Sequence, residues 1–155
     1  MNMSLFRFAL LAGLLTSAAA KGNVLDQPVT LKTESDLIQA VSVTLQHAIA
    51  TSEQYRGTEP RLQRFARREI ATRRKPIDQL NKLGGIQPKT VKTLAIPPKD
   101  NVSYQRAMLR NHARLIELLG YGRGLPLSAN TKRLMDTLSR EATAEFAMLS
   151  KLEKP

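Results

Sequence analysis

Four stretches of this chain repeat their apolar residues every three or four positions, and the connections between them run short, long, short. That pattern restricts the fold more than any other feature. The first stretch opens near Thr33, which with Asp36 three residues on forms a capping-box signature, and carries Leu37, Ile38, Val41, Leu45, Ala48 and Ile49 to a stop at Gly57. His47 projects off this stripe and is expected at the surface. Thr58-Glu59-Pro60 opens the second, with Thr58 as the expected cap and Leu62, Phe65, Ala66, Ile70, Ile77 and Leu80 as the stripe, stopped by Gly84-Gly85. Pro76 interrupts it without shifting the phase, so the spacing predicts a kinked but continuous helix.

The stretch from Gly84 to Lys99 holds Pro88, Pro97 and Pro98 and no sustained period. Its extended reach of roughly 50 Å exceeds the roughly 36 Å of the second helix, so it can return along a whole bundle. A third helix is expected from Asn101 to Leu119, with Val102, Met108, Leu109, Leu115, Ile116 and Leu119 inward and Gly120, Gly122 and Gly124 closing it. The fourth follows Pro126 with Ser128 as cap and runs to about Leu152 through Leu134, Met135, Leu138, Ala142, Phe146 and Leu149. The fold class is all-α: a four-helix bundle over residues 33–155 with one long crossover, the plan of ferritin-like folds.

Residues 1–20 read as a secretory signal, with Arg7 before an apolar core and Ala18-Ala19-Ala20 as the cleavage site; residues 21–32 read as an extended arm. The protein is therefore expected to be exported to the periplasm or beyond, with no transmembrane helix in the mature chain; an uncleaved anchor is the alternative. The chain has no Cys, two His and a net charge of +11. Disulfide frameworks, thiolate metal sites and Cys nucleophiles are excluded, and there is no phosphate loop or Ser-His-Asp pattern. No enzymatic role and no cofactor are expected.

Helical projection leaves charges on the inward stripes, where a charge needs a partner or a task. Glu69 and Arg73 lie one turn apart on the second helix, His112 is central on the third, and Glu145 is inward on the fourth with Glu141 at the margin. These predict an interior ion-pair cluster of Glu69, Arg73, Glu145 and His112. The alternative is a mononuclear metal site using His112, Glu145 and Glu69, which Arg73 in the same layer opposes. The Glu-x-x-His pairs of a di-iron site are absent, because Thr72 and Met148 occupy the required positions.

A basic strip of Arg61, Arg64, Arg68 and Lys75, flanked by Arg67 and Arg74, runs outward along the second helix; the third adds Arg106, Arg110 and Arg114. Without interleaved aromatics or a recognition helix, sequence-specific nucleic-acid binding is not expected. The simpler reading of these charges is a solvated face; the alternative is binding to an anionic envelope surface, lipid or polysaccharide.

Two runs resemble a family of exported bacterial bundles, the ferritin-like domain of unknown function 4142 (DUF4142). Leu62-Gln63-Arg64-Phe65-Ala66-Arg67-Arg68-Glu69-Ile70 is similar to its second-helix segment, and Tyr104-Gln105-Arg106-Ala107-Met108-Leu109-Arg110-Asn111-His112 to its third. The resemblance implies an uncharacterised envelope role. It also implies that family histidines fall at Arg73 and near Glu145, leaving only His112, so that ligands have been exchanged for an ion pair.

Overall fold

The computed structural model describes residues 30–85, 98 and 100–152. The proposed signal, residues 21–29 of the arm and most of the crossover lie outside them. The described residues form four helices, α1 (Glu34–Gln54), α2 (Pro60–Gly84), α3 (Asn101–Gly122) and α4 (Ala129–Lys151), packed as a four-helix bundle.

Local chemistry fixes most helix ends. Thr33 caps α1 in a capping box with Asp36, and Ser128 caps α4 by accepting from the Thr131 amide. The cap of α2 is Glu59 and not Thr58: its carboxylate accepts from the Leu62 amide. Pro60 accounts for the shift, because the residue before a proline is held extended and is thereby placed at the cap. α2 is continuous through Pro76 and ends at Gly85, whose φ of 58° suits glycine. α3 does not stop at Leu119. It runs on to Gly122, where a side chain would meet Leu37 at 2.5 Å, so this glycine serves close helix packing.

Cross-helix bonds give the directions. Ser42 donates to Asn81 at 3.2 Å and Arg74 reaches Glu53 at 3.5 Å, so α1 and α2 are antiparallel. Asn111 donates to the Thr44 carbonyl and Ser52 meets Tyr104, making α3 antiparallel to α1 as well. Gln105 donates to the Leu149 carbonyl at 2.7 Å and His112 meets Glu145 at 3.2 Å, which runs α4 back against α3. α2 and α3 therefore point the same way, and the chain between Gly85 and Asp100 joins opposite ends of the bundle.

The helices pack unevenly. α1 lies between α2 and α3, and of the neighbouring helix pairs α2 and α4 pack least closely. No residue of α1 from Ala40 to Ser52 is exposed, and His47 is buried, contrary to its expected surface position. A stripe projection underestimates the buried arc of a helix packed on more than one side. Val102, expected inward, is 54% exposed; Tyr104 takes the interior position, stacked on Tyr55 at 4.1 Å.

The apolar interior divides into two clusters. One gathers Leu37, Val41, Leu45, Leu80, Leu115, Leu118 and Leu138; the other gathers Ala48, Leu62, Phe65, Tyr104, Met108 and Leu149. Between them along α2, α3 and α4 lies a polar layer.

A buried ion-pair layer and a basic seam

Each member of the polar layer is carried inward by helical period. Glu69 and Arg73 sit between Phe65 and Ile77 on α2, His112 between Met108 and Leu115 on α3, and Glu145 between Ala142 and Leu149 on α4. Their exposures are 0%, 1%, 1% and 4% in that order. The structure brings all four together. Arg73 Nε donates to Glu69 Oε2 at 3.3 Å, its Nη2 pairs with Glu145, and its Nη1 donates to Glu141 Oε2 at 2.9 Å. Glu141, placed at the margin by its spacing, thus closes the outer side of the cluster while half exposed. His112 Nδ1 donates to the Met108 carbonyl at 2.8 Å, which turns Nε2 toward Glu145 Oε2 at 3.2 Å. Phe65 tilts against the imidazole, and Arg68 stands 3.7 Å from Glu145 at the rim.

Burial and charge compete over each group. Burial pushes the Glu69 carboxyl above its ordinary range, against the attraction of Arg73 and His112. At Glu145 burial acts the same way, but the His112 hydrogen bond and the charges of Arg73, His112 and Arg68 outweigh it and hold the carboxyl low. Burial would depress Arg73, yet Glu69 and Glu145 more than offset this and keep the guanidinium charged. Glu69 Oε1 has no hydrogen-bond partner, although it lies 3.3 Å from Arg73 Nη2.

One donor atom each from Glu69, His112 and Glu145 falls within 4.8 Å of the others, the convergence a cation would need. The guanidinium of Arg73 stands against both carboxylates, and a metal ion beside it would meet a like charge at close range. As they are arranged, these residues fit an internal ion pair better than a resident metal.

Arg61, Arg64, Arg67, Arg68, Arg74 and Lys75 are all exposed on α2. Arg74 pairs with Glu53 and Arg68 approaches Glu145; the other four have no carboxylate within ion-pair distance among the described residues. On α3, Arg106 and Arg110 are exposed and Arg114 pairs with Glu117 at 2.6 Å.

Sequence spacing gave no sign of what the α2–α4 seam contains. A groove of about 710 Å³ opens between the C-terminal half of α2 and the N-terminal half of α4, and a second of about 430 Å³ opens at the other end. The ion-pair layer bridges the seam between them. Only a register between α2 and α4 would have revealed these grooves, and an amphipathic period carries no register.

No protein-family model, curated protein or solved structure matches the chain.

Proposed function

We propose that the protein is an exported, non-catalytic bundle of ferritin-like plan that serves in the cell envelope by docking on anionic polymer or lipid through the basic side of α2. The observation that carries this reading is the exposed basic side of α2, on which Arg61, Arg64, Arg67 and Lys75 are unopposed by acid within ion-pair distance among the described residues, on a chain of net charge +11. Such a row attracts polyanions by charge without reading sequence. The non-catalytic reading is supported by the polar layer, whose four members are almost wholly shielded and already paired with one another.

The test is co-sedimentation with phosphatidylglycerol vesicles and retention on a heparin-like polymer. Binding is expected at low salt, with a steep loss as salt rises, and Arg61→Glu with Arg64→Glu is expected to abolish it. No binding at low salt, or binding that survives both reversals, refutes the proposal and leaves a solvated face.

The convergence of Glu69, His112 and Glu145 sustains a second reading, a metal-binding bundle. Elemental analysis of the purified protein decides it. Stoichiometric iron, copper or zinc, lost in His112→Gln, would show that Arg73 does not substitute for a cation.

A further inference from the structure

The two grooves of the α2–α4 seam share a construction that a purely charged surface does not need. In the larger, Pro76, Leu83 and Leu134 provide apolar surface over the buried Leu138, and Lys75, Lys82 and Arg133 stand around it. In the smaller, Met148 and Leu152 provide the apolar part above the buried Phe65, framed by Arg61, Arg64, Arg68 and Lys151. Leu83 and Met148 are two of the few large apolar side chains left exposed among the described residues. Glu141 is the single acid in either lining, and it is engaged by Arg73. Both volumes lie within the range of small-molecule sites.

We propose that the α2–α4 seam binds an anionic amphiphile, an acyl chain lying on the Pro76–Leu83–Leu134 surface with its phosphate or carboxylate head among the Lys and Arg side chains.

This deepens the preceding reading and rests on it, by separating lipid from polysaccharide. A polysaccharide would use the cations and leave the apolar surface wet, whereas an amphiphile uses both. Charge also excludes other occupants. A second copy of this chain brings a net +11 against a cationic rim. The crossover from Ile86 to Lys99 contains Lys89, Lys92 and Lys99 and no acid, so it too offers the wrong sign. The cations flanking the apolar strip match an anionic head, and they do so at both ends of the seam.

The experiment is isothermal titration of the protein with three probes at low salt: monomeric palmitoyl-lysophosphatidylglycerol, its chainless analogue glycerophosphoglycerol, and the zwitterionic palmitoyl-lysophosphatidylcholine. A heparin-like polymer serves in parallel. The lysophosphatidylglycerol is expected to bind at least about tenfold more tightly than either other small probe, because each lacks one of the two contributions. Lys82→Glu with Arg133→Glu, both on the exposed rim, should weaken it by about tenfold or more. Leu83→Gln should weaken it severalfold and leave the polymer unaffected; since Leu83 is already 39% exposed, its helicity and melting should match the parent. Adding Leu134→Gln should extend the loss.

Equal affinity for the chainless analogue, or an unchanged titration in Leu83→Gln and in the double leucine variant, overturns the amphiphile proposal while polymer binding keeps the polyanion reading. Loss of polymer binding as well in the parent protein removes the broader reading.

Discussion

Replacing Arg73 by Leu would strand two buried carboxylates, and the structure indicates how the molecule would respond. Glu145 keeps the His112 contact at 3.2 Å and Arg68 at 3.7 Å, and Glu141 turns to solvent. Glu69 has no such recourse: its side chain is fully buried and Arg73 is its only hydrogen-bond donor among the described residues. The least costly response is for Glu69 to take up a proton. A free Glu titrates at about 4.3, so holding it neutral at pH 7 costs at most roughly 3–4 kcal/mol at about 1.4 kcal/mol per pH unit, less the part that the raised carboxyl already costs the parent. That magnitude agrees with the roughly 3–5 kcal/mol lost when one partner of a buried pair is removed.

The same argument fixes a pH dependence. In the variant the Glu69 pKa is raised above its unfolded value, so the folded state binds the extra proton and the penalty shrinks as pH falls. At pH 5 it should be roughly 1 kcal/mol. Urea unfolding of parent and Arg73→Leu at pH 7 and pH 5, with matched slopes, measures both figures. Arg73→Leu with Glu69→Gln should recover most of the loss at pH 7, whereas Arg67→Leu on the exposed face should change stability by no more than about 0.5 kcal/mol. A loss below about 1 kcal/mol at pH 7, or an equal loss at the two pH values, would refute the buried-pair argument.

Burial holds the His47 imidazole below its ordinary 6.5, so the unfolded chain takes the proton first. Stability should fall as pH drops below that value, and His47→Gln should flatten this part of the denaturation midpoint against pH. Gly57→Ala would place a methyl 2.2 Å from Asn101 Oδ1 and 2.3 Å from the Tyr55 ring, and Gly122→Ala would press on Leu37; each should destabilise by about 1–3 kcal/mol in thermal melts. Gly120→Ala, with nothing within 4 Å, should instead stabilise α3 by up to about 1 kcal/mol.

By itself the sequence determined the four helices, the Thr33 and Ser128 caps and the inward placement of Glu69, Arg73, His112 and Glu145. These depend on local backbone chemistry and on the 3.6-residue period, which neighbouring residues carry in full. The burial of α1 was also written there, as a stretch from Leu37 to Ser52 without Asp, Glu, Lys or Arg, but a single apolar stripe does not register it. Only the tertiary structure decided which helices pack closely, that Glu141 joins Arg73, that Val102 is left in solvent and that Gly122 admits Leu37. Above all, it decided that α2 and α4 stand apart on either side of the ion-pair layer. A period specifies which face of a helix turns inward; the register and distance between two helices follow from how all four pack at once, and these made the seam.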